Sequence, residues 1–376
     1  MAGIYIHIPF CHQACNYCNF HFSTSRSKQE LFVEALLVET RLNRFALEKV
    51  SSLQTVYFGG GTPSILTALQ LRRIMDALHS SYTIDPSAEI TLEANPEDIN
   101  PKSLADWLAL GINRLSVGVQ SFDDDELKWM NRRHSGGDSR RCLDEISSSG
   151  FTQYSVDLIY GSPLQSEEIL MQNIEVLSGY RVPHISCYAL TAELRTALQH
   201  IIQKDPSQAP DPDVQAARFG IVTSQLTSLG YEHYEISNFA LTGMRSRHNS
   251  SYWSGQPYLG LGPSAHSFDG LKIRRWNIAN NSLYIQSLQQ GVLPFEEEIL
   301  TEDQALNERV MVSIRTAEGI DLNAMREQYG SEEAGRLLSM SGPYIREGYM
   351  ALEDERLKLT DAGKFLADGI AAHLFR

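Results

Sequence analysis

The chain has 376 residues, 42% of them apolar and 21% charged, an ordinary globular mixture with enough apolar material for a sizeable core. Lys and Arg number 32 against 46 Asp and Glu, a formal net charge of −14. That balance argues against sequence-independent nucleic-acid binding, which needs basic side chains to displace counterions from phosphates, and against attraction to an anionic membrane surface.

The opening MAGIYIHIPFCHQ lacks the basic and long apolar regions of a secretory signal, and no apolar run approaches the roughly 18 residues of a spanning helix. A cytoplasmic protein with no integral membrane segment is expected. The five cysteines stand at 11, 15, 18, 142 and 187, an odd count with three crowded together. In a reducing compartment such a group binds metal or does redox chemistry rather than forming a disulfide framework.

From residue 4 to about 238 two textures alternate. Short β-branched or aromatic runs fall at Ile4–Ile8, Thr55–Phe58, Glu89–Glu93, Arg114–Val119, Tyr154–Ile159, His184–Leu190 and His233–Ile236. Between them lie helical stretches. Ser27 with Glu30 forms a capping box for a helix over Leu31–Val50, Thr67 with Gln70 forms the next, and Asn100 caps a helix that starts at Pro101 and stops at Gly111. This rhythm reads as βα units on a parallel sheet. About six units are too few for an eightfold barrel, so an α/β fold, a partial (β/α)6 barrel, is expected over 1–240.

In such folds chemistry collects at the C-terminal ends of the strands. Strand one runs into the cysteines and strand two into Gly59-Gly60-Gly61-Thr62-Pro63. The third ends at Glu93, the fourth at Gln120, and the fifth reaches Asp157. After 240 the texture changes. Residues 241–300 read as a junction with an aromatic, glycine-rich segment at His248–Gly262. A smaller domain over 301–376 shows helices, a hairpin near Tyr349–Leu359 and a last helix at Asp361–Phe375, a winged-helix-like pattern. Its nine basic and fourteen acidic residues exclude a DNA-binding role. Lys204–Pro212 reads as an exposed loop.

Cys11, Cys15 and Cys18 form C-x3-C-x2-C. That spacing lets one loop present three thiolates to three irons of a cubane and leave the fourth iron without a protein ligand. Zinc stays open by arithmetic, because His12 and His21 lie nearby. Cys142, in a helical stretch, and Cys187, in an apolar strand, read as buried thiols.

These residues carry a resemblance. YIHIPFCHQACNYCNF, the GGGTP at 59–63, the ExNP at 93–96, the SxGxQSF at 116–122 and the DLIYGxP at 157–163 resemble, in order, the motifs of radical S-adenosylmethionine (SAM) proteins of the oxygen-independent coproporphyrinogen III oxidase (HemN-like) family. The resemblance covers essentially the whole chain. Two departures resemble the HemW haem-chaperone branch of that family. Phe20 stands where the oxidase pattern has a fourth cysteine, and the first strand lies at the N-terminus with no extension before it. The HNSSYW segment at 248–253 matches the HNxxYW motif that the branch associates with haem.

The resemblance implies a barrel of the radical SAM type, with a [4Fe–4S] cluster on Cys11, Cys15 and Cys18. SAM would chelate the open iron, and the reduced cluster would cleave its sulfonium bond to a 5′-deoxyadenosyl radical. Tyr5, Tyr17, Gly60, Gly61, Thr62, Glu93, Gln120, Arg132 (read as helical) and Asp157 would contact SAM. His248 would be a haem ligand, with Tyr252 and Trp253 stacking on the macrocycle. His7 shares a strand face with Tyr5 and reads equally as a substrate contact or a core hydrogen bond. Three functions follow: a haem chaperone that passes haem to an unknown acceptor protein, with flavodoxin or ferredoxin as reductant; a coproporphyrinogen III oxidase; or a radical SAM enzyme on another substrate.

Overall fold

Alternation along each strand decides what the two faces of the sheet can hold. The structure is a computed structural model that describes residues 2–48 and 50–376. Its first half runs β1 (Gly3–Ile8), α1 (Gln29–Leu42), β2 (Leu53–Gly60), α2 (Ala68–Ser81), β3 (Ile84–Ala94), α3 (Pro101–Ala109), β4 (Arg114–Gln120), α4 (Asp124–Trp129), α5 (Gly136–Ser147), β5 (Gln153–Tyr160), α6 (Glu167–Gly179) and β6 (His184–Ala189). The six strands lie parallel and in chain order, as the βα rhythm predicts.

One face is apolar: Ile4, Ile6, Ile8, Val56, Phe58, Leu115, Val117, Val156 and Ile185 all join the main core, with α1 residues such as Phe32 and Leu36. The intervening residues are Tyr5 and His7, Tyr57 and Gly59, Thr91 and Glu93, Ser116 and Gln120, Ser155 and Asp157, Ser186 and Tyr188. Parallel strands buried on both faces normally run apolar throughout. Here the inner face is polar, so it is built to line a site.

Two caps agree with expectation. Thr67 and Gln70 form a reciprocal box for α2, and Asn100 accepts from the first turn of α3, after which Gly111 takes φ +83°. The Ser27 cap does not form. Lys28 holds that position without a side-chain hydrogen bond, Ser27 bonds Ser25, and Glu30 reaches sideways to Gln70 and Arg73 on α2. The helix also stops at Leu42 rather than Val50, because Asn43 turns back onto the Glu39 carbonyl; Lys49 lies outside the described residues.

The Lys204–Pro212 loop joins α7 (Ala197–Lys204) to α8 (Pro212–Ser228). The run at His233–Ile236 is not another parallel strand. β7 (Glu232–Glu235) and β8 (Asn238–Ala240) form a tight hairpin, and β8 lies antiparallel to β6. Two linking residues suffice for an antiparallel hairpin, whereas a parallel return needs a long crossover.

Residues 241–300 do more than join domains. After α9 (Arg247–Trp253), β9 (Tyr258–Leu261) pairs parallel with the free side of β1, and β10 (His266–Phe268), β11 (Ile273–Asn277) and, beyond α10 (Asn281–Gln289), β12 (Phe295–Ile299) extend the sheet antiparallel. Among the described residues the sheet has twelve strands and stays open, with β12 and β7 at its edges.

The remainder is α11 (Glu302–Ile314), β13 (Ile320–Asp321), α12 (Leu322–Tyr329), α13 (Ser331–Arg346), β14 (Met350–Glu353), β15 (Arg356–Leu359), α14 (Asp361–Lys364) and α15 (Ala367–Leu374), with its own apolar core and a small β13-β15-β14 sheet. The winged-helix-like pattern is present, with the last helix split at Phe365 and Leu366. Ile236 N donates to Arg315 O (3.1 Å) and Ala317 N to Tyr234 O (3.0 Å), joining this unit to β7.

Glu39 of α1 ties the added strands to the barrel. Its buried carboxylate accepts from Gly262 N (2.7 Å), Asn277 Nδ2 (2.6 Å) and Tyr284 Oη (2.6 Å). Glu39→Leu leaves Gly262 N and Tyr284 Oη buried and unpaired, and leaves Asn277 Nδ2 only the Gly262 carbonyl (2.8 Å). The expected loss is on the order of 2–5 kcal/mol, from about 1–3 kcal/mol for each buried donor left unsatisfied. Urea denaturation checks this, and a loss under about 0.5 kcal/mol, the level of an ordinary surface substitution, would reject it.

Candidate functional site

Two cavities open on the polar side of the sheet. The first, about 650 Å³, is lined by Cys11, Cys15 and Cys18, by Gly60, Gly61 and Thr62 after β2, and by Glu93, Gln120 and Asp157. All five cysteines are free, and the three of the loop are half-buried while Cys142 and Cys187 are buried. The loop is fixed at both ends: Cys11 N donates to Ser23 O (3.0 Å) and Asn16 N to Met130 O (3.1 Å).

The glycines are needed here. Gly60 takes φ +110°, and a Cβ on it would meet His7 Nδ1 at 2.6 Å; one on Gly61 would meet Phe10 O at 2.7 Å and Cys11 Sγ at 3.0 Å. Gln120 ends β4 at φ +69°, a strained conformation for a residue with a side chain, of the kind that collects at binding sites.

Glu93 accepts from Tyr57 Oη (2.8 Å) and Gly60 N (3.1 Å). Burial pushes its carboxyl up to about 8, the nearby Asp157 charge adds to the rise, and the two hydrogen bonds oppose it. Burial also pushes Asp157 up to about 6, against a hydrogen bond from Ser186 and the charge of Arg132. Arg132 is not helical. It lies between α4 and α5, where Nη2 donates to Asn95 Oδ1 (2.7 Å) and Gly118 O (2.6 Å) and Nη1 lies 3.4 Å from Cys15 Sγ. The turn between these two short helices holds Arg132 outside the helix that the sequence suggests for it.

Tyr17 also lines this cavity, packed with Met130, Ile159 and Leu190. Tyr5 does not join the set. It lines the second cavity, with Oη 3.2 Å from His7 Nδ1, and His7 Nε2 is 2.8 Å from His21 O.

Tyr57, Asn95 and Ser116 were not among the expected site residues. Asn95 and Ser116 sit inside the quoted motifs, whereas Tyr57 is an ordinary strand tyrosine in sequence. Asn95 bridges Thr62 Oγ1 (3.3 Å) and Arg132, fixing the glycine loop to the loop after α4.

The second cavity, about 820 Å³, lies between β9–β11 and the C-terminal unit. Tyr252, Trp253, Tyr258 and Phe268 line it, and Asn19 and Phe20 border both cavities. His248 does not open into either. It is buried at the foot of the barrel, with Nδ1 2.8 Å from Thr55 Oγ1, Nε2 2.9 Å from Tyr252 Oη and its ring stacked on Tyr57 at 4.9 Å. Both ring nitrogens are engaged, so this conformation offers no lone pair to an iron. Glu89 holds α9 there by accepting from Arg247 N (3.0 Å) and His248 N (2.9 Å).

Residues 5–177 match the Radical SAM superfamily and residues 300–366 the HemN C-terminal domain. A heme chaperone HemW of Mycobacterium tuberculosis is 34% identical over 99% of this chain and 94% of that one; a heme chaperone HemW of Bacillus subtilis is 33% identical over 98% of each. The chain belongs to the HemW branch of the HemN-like radical SAM family. In keeping with that membership, the solved coproporphyrinogen III oxidase (HemN) of Escherichia coli shares the fold, with a TM-score of 0.82 at 23% identity over 100% of this chain and 90% of that one.

The family implies a [4Fe–4S] cluster and SAM. The donor set fits the cluster: three free thiols on one loop border a single cavity, beside glycines that leave space next to Cys11 Sγ. Burial pushes the Cys11 thiol up to about 11 and raises Cys18 as well, so bound iron would displace protons there. Among the described residues no three His, Cys, Asp or Glu side chains converge on a single-ion site.

Proposed function

We propose that this chain is a cytoplasmic haem chaperone. It binds haem, holds a [4Fe–4S] cluster on Cys11, Cys15 and Cys18 with SAM on the open iron, and delivers haem to an acceptor protein, with flavodoxin or ferredoxin as electron donor. One observation carries the reading: an aromatic cavity large enough for a cofactor adjoins the cysteine cavity, and Phe20, 67% exposed, stands at their border. The kinship with HemW proteins supports haem as the ligand. Among the described residues no helix is long and apolar enough to cross a membrane.

When bound, the cluster supplies one-electron reduction of SAM. This chain's residues bind and orient. Gly60, Gly61 and Thr62 offer backbone close to the methionine part. Glu93, Gln120 and Asp157 offer acceptors to its ammonium and ribose hydroxyls, and Tyr17 packs beside them. Arg132 balances charge near Cys15. Tyr5 serves the second cavity, and His248 serves haem by bracing Tyr252 rather than by ligating iron.

An anaerobic haem titration of the reconstituted protein, read at the Soret band, tests the function. One haem per chain is expected. No binding, together with decarboxylation of coproporphyrinogen, would transfer the assignment to the oxidase activity. No binding and no decarboxylation would leave a radical SAM enzyme acting elsewhere.

Glu93 gives a pH prediction. Its folded value of about 8 lies above the ordinary 4.5, so between the two the folded chain holds a proton that the unfolded chain has released. Its contribution to stability is full below 4.5 and is lost as pH rises through 8. Binding of SAM's ammonium at pH 7 favours the carboxylate and should release that proton. Calorimetry in buffers of different ionisation enthalpy reads the release; heats independent of buffer would remove Glu93 from the ammonium contact.

A further inference from the structure

The aromatic cavity has chemistry that the cluster does not use. Tyr252 and Tyr258 meet edge to face at 4.6 Å and 88°, and Phe268 continues the wall at 6.4 Å from Tyr258. Such a wall suits a flat, conjugated ligand.

Three imidazoles border the space: His7, His21 and His266. His7 is held at both ring nitrogens, by Tyr5 and by the His21 carbonyl. His21 is held through Nε2 by Asn281 Oδ1 at 2.7 Å. His266, on the short β10, keeps an exposed side chain beside the Trp276 ring.

Two cations stand on the same wall. Arg274 pairs with Glu308 through Nη2 (2.8 Å) and keeps a buried Nε with no partner; Arg309 donates through Nη1 to Ser254 O (3.0 Å). The lining residues thus hold two guanidiniums and one carboxylate, Glu308, and guanidinium forks suit carboxylates.

We infer that this cavity is the haem site, with His266 as an axial ligand of the iron and Arg274 and Arg309 facing the haem propionates. The assignment rests on the haem-chaperone reading. It places the iron on β10, one of the strands added beyond β1, and not on the motif histidine His248.

The test is a titration of the full-length reconstituted chain with haem, beside His266→Ala and Arg274→Gln. Both side chains sit at the cavity wall, and circular dichroism checks that each variant folds. His266→Ala should move the Soret band and weaken binding on the order of tenfold or more, with added imidazole restoring the wild-type spectrum. Arg274→Gln should weaken binding and leave the spectrum in place. A wild type that binds haem and a His266→Ala variant with unchanged spectrum and affinity would overturn the ligand assignment while the chaperone reading stands. A wild type that binds no haem would overturn both.

Discussion

Replacing Cys15 with Ala should reduce cluster iron and sulfide to background after anaerobic reconstitution and abolish the broad cluster absorbance. The loop offers three thiols for three irons, so one deletion leaves two irons without protein ligands. Cys15 also neighbours Arg132 Nη1 at 3.4 Å, so the guanidinium loses the sulfur its charge faces. The fold should survive, because the cysteine loop is half-buried and anchored elsewhere through Cys11 N and Asn16 N. Cys142→Ala is the matched control. That thiol is buried in α5 and belongs to the main core, so its loss should leave the cluster intact. Full iron content and an unchanged spectrum in Cys15→Ala would remove the cluster from this loop.

His248→Ala should destabilise the protein by about 3–5 kcal/mol, the range for truncating a large buried ring. The deletion leaves a hole beneath Tyr57 and unpairs Thr55 and Tyr252, each of which now shares a hydrogen bond with the imidazole. Tyr57 donates to Glu93, so a ring free to tilt should also weaken SAM binding. The haem spectrum should not shift. Urea denaturation, SAM calorimetry and haem titration of one variant read the three effects together. Near-wild-type stability with a lost Soret shift would show that His248 ligates iron after all, in a conformation other than this one.

What could be read from the sequence was local. The cysteine spacing, the Thr67 and Asn100 caps and the alternation that turns Glu93, Gln120 and Asp157 onto one face each depend on neighbours a few residues away. What escaped depends on distant partners. Nothing near Tyr57 tells that Glu93 lies above it and His248 below. His248 itself looks available in HNSSYW, and only Thr55, 193 residues earlier, reveals that it is occupied. The strands β9 to β12 span three to five residues each, too short for a periodic signal, so their pairing beyond β1 needed the folded chain. Arg132 was misplaced because a turn between two short helices keeps helical spacing on either side.

The strand that ends the sheet has a consequence for how these molecules meet one another. β12 reads FEEEI, is exposed along its whole length, and pairs on one side only, with β11. Its outer rim therefore displays the unpaired amides and carbonyls that recruit a strand from another molecule. Glu297 is paired with Arg275 (2.5 Å), but a second copy docking there would bring Glu296 and Glu298 to within about 4.8 Å of their counterparts, and like charges directly opposed repel. Crowded solutions near neutral pH should thus resist edge-to-edge aggregation. Acidification toward the isoelectric point, about 5.3 from the sequence, withdraws the net charge that keeps copies apart and leaves that rim less guarded.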